Sequence, residues 1–244
     1  MLPGTQVIAP DQPVAQIVLE HPRCAGILVE RDIDFCCRGS VSLAKACAAR
    51  GIDVAALVAE LEAAVAGGPP GTPGLDPRPL TTIQLVARIV DQHHVYLRKT
   101  LPLVELLAGR VVEAHADRQP SLEEIQSVLR VLRALLEPHL QHEEAVLFPL
   151  LIGRGRSRQR IRAELDWMRD EHLQVGDALR ELRTLSNRFV PPVWACATYR
   201  ALMSELEAMD RDTLEHVHLE NNVLAARFEQ ARPVASGVHT GGVR

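Results

Sequence analysis

HLQHEEAVLFPLL (His139 to Leu151) and HVHLENNVL (His216 to Leu224) decide how this chain is read, because both contain the spacing HxxxE, at His139/Glu143 and His216/Glu220. Residues four apart on a helix lie one above the other, so each pair projects an imidazole and a carboxylate from one face. Both pairs sit inside apolar stripes of helical period. The first runs Ile125, Val128, Leu132, Leu135, His139, Glu143, Val146, Leu150, and the second Leu202, Leu206, Met209, Thr213, His216, Glu220, Val223. Burying two carboxylates in such a core costs several kcal/mol per ion unless opposite charge meets them there. A metal centre supplies that charge.

Two further stripes lie nearby, one reading Ile83, Val86, Val90, His94, Leu97, Leu101, Val104 and the other Ile161, Leu165, Met168, His172, Val175, Leu179, Leu182. Pro120, GRGRS at Gly153 to Ser157 and VPP at Val190 to Pro192 separate the four patterns. That punctuation predicts an all-α fold with an up-down four-helix bundle over 81–231. Every bundle helix then carries a histidine in its core stripe. One such histidine is ordinarily a packing residue, but four of them with two glutamates call for a common cause. Their mid-helix positions allow convergence at one level, given a rise of ~1.5 Å per residue. Four imidazoles and two carboxylates, without a thiolate, suit a pair of iron or manganese ions better than a closed structural zinc, with each glutamate able to bridge. Ligand type alone leaves zinc open, as it does the assignment of histidines to ions.

Working outward, GGPPGTPGLDPRP (Gly67 to Pro79) is too rich in glycine and proline for helix or strand, and 67–80 reads as a linker. Residues 1–66 form a small helical unit, with helices expected around Val14 to Leu19, Cys24 to Arg31, Ser42 to Arg50 and Val54 to Ala66, and turns at Gly39 and Gly51. A unit of this size has little core of its own and is expected to dock on the bundle or on a partner. Residues 232–244 read as a disordered tail.

Hydrophobic content of 47% supports real cores, while a net charge of −4 and the lack of a basic run argue against nucleic-acid binding. No stretch approaches the roughly 20 apolar residues that span a bilayer, and the N-terminus lacks the pattern of an export signal. Five cysteines, an odd number, fit free thiols in a reducing compartment, so the expected location is cytoplasmic. Oligomeric state is not legible.

Several other residues invite a role. His93, His142 and His218 neighbour the stripe positions but fall off them, which predicts exposure or hydrogen bonding rather than ligation, with capture of incoming or departing metal as the alternative. Glu144 and Glu171 are acidic neighbours of the same positions, and Glu171 is a candidate outer-shell partner for a ligand histidine. Cys36 and Cys37 precede the helix near Ser42, where its N-terminus and Arg38 would favour thiolate. Cys24, Cys47 and Cys196 read as packing residues, while Asn221 and Asn222 disfavour a helix interior and read either as exposed, the simpler account, or as hydrogen-bonded near the site.

Taken together, HHVYLRKTLP at His94, the His139 segment, DEH at His172 and the His216 segment resemble the haemerythrin-like domain of the iron–sulfur cluster repair di-iron proteins. DFCCRGS, Asp34 to Ser40, is similar to the adjacent-cysteine motif of the ScdA-type domain that this family carries ahead of its bundle. The resemblance spans about Val14 to Phe228, departing at Arg38 and Ser40 and at Ala225-Ala226. It implies two non-haem irons held by His94, His139, Glu143, His172, His216 and Glu220, the glutamates bridging, which are the six positions the stripes select. It also implies damaged iron–sulfur proteins as clients, iron donation in nitrosative or oxidative stress, and Cys36 and Cys37 as thiols for iron transfer. Nitric oxide reduction at the irons, or haemerythrin-like oxygen binding, is the alternative, so whether the chain is an enzyme stays open.

Overall fold

The computed structural model describes residues 8–67, 76–153 and 157–229. The glycine-proline stretch 68–75 within the expected linker and the expected tail, 232–244, lie outside them. Among the described residues all the regular elements are helical, apart from a single bridge between Pro13 and Ser42.

Four short helices come first: α1 (Val14–Glu20), α2 (Cys24–Glu30), α3 (Leu43–Ala48) and α4 (Val54–Ala66). Local chemistry sets their starts. Ser42 accepts a hydrogen bond from the Lys45 N–H, and Asp53 accepts from Ala55 and Ala56, so orphan donors of α3 and α4 are capped. Gly51 takes φ +65°, a turn conformation open to glycine at no steric cost.

The bundle follows. Its first helix is α5 (Thr82–Arg88), a π-helical turn (Ile89–His94) and α6 (Val95–His115); the second is α7 (Ser121–His142), a π turn (Glu143–Leu147) and α8 (Phe148–Ile152). The third is α9 (Arg158–Leu185). The fourth is α10 (Ala197–Leu219), a π turn (Glu220–Leu224) and α11 (Ala226–Glu229). Thr81 and Gln84 cap the first helix reciprocally, and Ser157 caps α9. α6 packs on α7, α7 on α9, and α10 on both α6 and α9, which closes the ring of an up-down bundle.

The π turns correct the expected stripes. In the second helix Leu147, Phe148 and Leu151 are buried where Val146 and Leu150 were expected to be, and in the first Leu85 and Ile89 are buried while Ile83 is 61% exposed. Leu135 and Val90 are only half-buried. A π turn closes an i to i+5 hydrogen bond and inserts one residue, which rotates the apolar face by one position. The bonds are present: Val95 N–H to Val90 O, Phe148 N–H to Glu143 O, and Ala225 N–H to Glu220 O.

The small unit packs on the bundle, and one continuous apolar cluster runs from Ile17, Leu28 and Leu61 to Leu101, Leu179 and Leu206. A second cluster of Leu85, Ile89, Leu147, Leu151, Leu165, Met168 and Leu224 fills the other end of the bundle. The histidines and glutamates lie between the two. Among the described residues no helix is long and apolar enough to cross a membrane.

Candidate metal centre

The four bundle helices bring His94, His139, Glu143, His172, His216 and Glu220 to one level, each no more than 1% exposed. Two overlapping donor groups result. One is His94, His216, Glu143 and Glu220; the other is His139, His172, Glu143 and Glu220, and within each group the donor atoms lie within 4.8 Å of one another. Both carboxylates belong to both groups.

Their oxygens divide accordingly. Glu143 Oε2 lies 3.4 Å from His94 Nε2 and Oε1 3.3 Å from His139 Nε2; Glu220 Oε1 lies 3.0 Å from His216 Nε2 and Oε2 3.2 Å from His172 Nε2. The paired imidazoles face each other through the same atoms, with Nε2 to Nε2 distances of 3.2 Å for His94 and His216 and 3.1 Å for His139 and His172. Ligands about 2.1 Å from one ion at right angles stand about 3 Å apart, so these edges match a shared ion in each group.

Neither oxygen of either glutamate has a hydrogen-bond partner, although all four are buried. A buried, unsatisfied carboxylate is costly, and a cation on each side removes the cost. The residues therefore fit a pair of metal ions bridged by Glu143 and Glu220. With protons as the only cations, the site shows the same demand: burial disfavours charge on His94 and His139, yet the glutamates outweigh it and raise them to about 10 and about 9. Burial and mutual repulsion oppose charge on Glu143, but His139 and His94 hold it below the usual carboxylate value, and Glu220 is held well below by His216 and His172. Burial lowers His216.

The outer nitrogens are anchored. His94 Nδ1 lies 2.7 Å from Glu144, which Arg98 also holds, His139 Nδ1 lies 3.0 Å from Glu171, and His172 Nδ1 lies 3.1 Å from Asn221 Oδ1. A proton on Nδ1 leaves the Nε2 lone pair for metal. The sequence flagged both glutamates. For Asn221 and Asn222 it preferred exposure to hydrogen bonding near the site, and the hydrogen bonding is what holds: Asn221 Nδ2 donates to Cys36 O at 3.2 Å, and Asn222 Nδ2 donates to the same carbonyl at 2.9 Å. A contact 185 residues away in sequence leaves no local signal.

The off-stripe histidines take the second of the two expected forms. His93 is 3% exposed and bonds Asp212 at 2.9 Å, and His218 is 4% exposed, with Asn222 Nδ2 donating to its Nδ1 and burial lowering it to about 4. His142 is half-buried against Glu164. Hydrogen bonding holds for all three; exposure does not.

Cys36 and Cys37 lie against the bundle, with Cys37 Sγ 3.4 Å from the His172 carbonyl. The expected thiolate character is not what the loop imposes on Cys36. The adjacent Cys37 thiol, burial and nearby Asp34 push its thiol well above the usual value. Cys24 and Cys47 are packed as expected, whereas Cys196 is exposed, 3.2 Å from His115 Nε2.

Comparison with known proteins follows the same division of the chain. Residues 85–228 match the hemerythrin HHE cation-binding domain, and residues 10–65 match ScdA_N, a domain of unknown function. The chain is 33% identical over 217 residues to the iron–sulfur cluster repair protein YtfE of Citrobacter koseri, covering 89% of this chain and 96% of that protein. It is 32% identical over the same length to the protein of that name in Escherichia coli, again covering 89% and 96%. A buried histidine-glutamate bundle behind an adjacent-cysteine domain, matched along both halves, places this chain in the iron–sulfur cluster repair family with a metal-binding hemerythrin HHE domain.

Proposed function

We propose that the chain holds a non-haem, carboxylate-bridged di-iron centre on His94, His139, Glu143, His172, His216 and Glu220. Its role is repair of iron–sulfur clusters damaged by nitrosative or oxidative stress, by donating iron to damaged iron–sulfur proteins. The observation that carries the reading is the pair of glutamates shared between two histidine pairs, with four unsatisfied buried oxygens. Histidine and carboxylate are a donor set suited to iron, and the names of the relatives point to cluster repair.

Bound there, the irons supply Lewis acidity and a one-electron couple each. The residues around them fix how firmly they are held. Glu144, Glu171 and Asn221 keep three imidazoles aimed inward, so binding needs little rearrangement. Without metal, the same carboxylates would be met by protons on His94 and His139, which they raise to about 10 and about 9, so acid would compete with metal for the site. On the His172 side Cys37 touches the bundle backbone, which puts a thiol beside the helix that carries one of the proposed ligands. All five cysteines are free, which suits action in the reducing cytoplasm.

The test is repair itself. Iron-loaded protein added anaerobically to a dehydratase with a damaged cluster should restore its activity beyond an equal amount of free ferrous iron. Equal recovery from free iron would contradict donation.

A further inference from the structure

Outside the bundle, three donors converge in the loop between α2 and α3. Asp34, Cys36 and Cys37 place a carboxylate oxygen and two sulfurs within 4.8 Å of one another. The sulfurs are 3.5 Å apart, and Cys36 Sγ is 3.3 Å from Asp34 Oδ1. A tetrahedral ion bonded at about 2.3 Å to sulfur and about 2.1 Å to oxygen sets two sulfurs about 3.8 Å apart and sulfur from oxygen about 3.6 Å. Both of these edges are within about half an ångström of that arrangement.

The arrangement is held from several sides. Asp34 Oδ1 accepts the Cys36 and Cys37 N–H groups at 3.1 and 2.8 Å, and Asn221 and Asn222 clamp the Cys36 carbonyl. Gly39 closes the loop where a Cβ would stand 2.4 Å from both Ala15 Cβ and Phe35 O. Beside the donors is a cavity of about 30 Å³ lined in part by Asp34, Cys36 and Gly176, with room for one water as a further ligand. Arg180 and Arg183 also line it, but their charges are met by Asp177 and Asp210.

We propose that Asp34, Cys36 and Cys37 bind one thiophilic divalent metal ion, a third metal position on the chain. Two sulfurs and one oxygen favour a softer ion than the bundle's nitrogen and oxygen donors do. Binding displaces the two S–H protons to solvent. The proposal deepens the donor reading, since Cys37 lies on the His172 side of the bundle, but its donors are independent of the bundle ligands.

Cadmium is the probe, titrated anaerobically into the reduced full-length protein carrying Cys196→Ser throughout, which removes the exposed thiol beside His115, and read by its thiolate-to-metal ultraviolet absorption. The parent and the Glu143→Ala/Glu220→Ala double variant should both develop that absorption to one equivalent, which separates this site from the bundle centre. Cys36→Ser and Cys37→Ser should abolish it, and Asp34→Asn should weaken binding at least tenfold. Cys37, being half-buried, carries the readout if Cys36→Ser does not fold. No thiolate absorption in the reduced parent, or absorption that survives the Cys37→Ser change at full strength, would overturn the proposal.

Discussion

At the residue scale, the same side chain takes opposite chemistry from its surroundings. His115 donates to Cys196 at the start of α10 and lowers that thiol below its usual value, while burial alone pushes Cys24 up to about 11. A lowered value makes thiolate available at lower pH, so alkylation should start earlier as pH rises. In the folded protein, iodoacetamide is expected to label Cys196 at neutral pH and leave Cys24 untouched, and His115→Ala should move the labelling midpoint of Cys196 upward. Mass spectrometry of the labelled peptides checks both, and equal labelling of the two thiols would contradict the account. The core histidines and both buried glutamates were legible because each falls on a stripe of period 3.6, where a titratable side chain has no apolar reason to be. The partners of Asn221, Asn222 and His93 were not, since they come from elsewhere in the chain.

At the element scale, the departures from the expected stripes trace to the π turns, except at Leu135, which lies in regular helix well before the turn at Glu143–Leu147. A reading at constant period assigns Val146 and Leu150 to the core, and one inserted residue hands those places to Leu147 and Leu151. Each of the three turns begins or ends on a proposed metal ligand, at His94, Glu143 and Glu220. Such turns are poorer helix geometry, kept where a side chain must be aimed. Deleting exposed Ala145 from Glu143–Leu147 would return Leu147, Phe148 and Leu151 to an ordinary α spacing from Glu143. The apolar face survives, so helical content should stay near the parent's by circular dichroism while metal content falls. A deletion variant that folds and keeps its full metal complement would show that the π turn is not needed to aim Glu143.

At the scale of the whole molecule, the helices of the small unit were anticipated to within a few residues, but its seat was not. Docking follows from size, because a unit of about 60 residues buries too little alone. Its location depends on Asn221 and Asn222 reaching Cys36, on Arg188 reaching Val29 O and Asp32, and on Phe35 meeting His218 edge-on. Gly39 is the tightest point of that seat. Gly39→Ala forces a shift against backbone as well as side chain, with an expected cost of about 1–3 kcal/mol. Thermal unfolding should show a lower midpoint, and limited proteolysis should cut 1–67 sooner than the bundle. An unchanged midpoint and digestion pattern would mean the loop does not fix the small unit.

The central claim is that two buried glutamates stay charged because they bridge two metal ions. Elemental analysis of protein purified anaerobically, beside the Glu143→Ala/Glu220→Ala double variant, tests it most directly. The account predicts about two irons per chain bound by the bundle of the parent and almost none by that of the variant, with both proteins folded, as expected when shared carboxylates neutralise the ions. Parent protein that takes up no iron on reconstitution, or a variant that binds it equally well, would contradict the account.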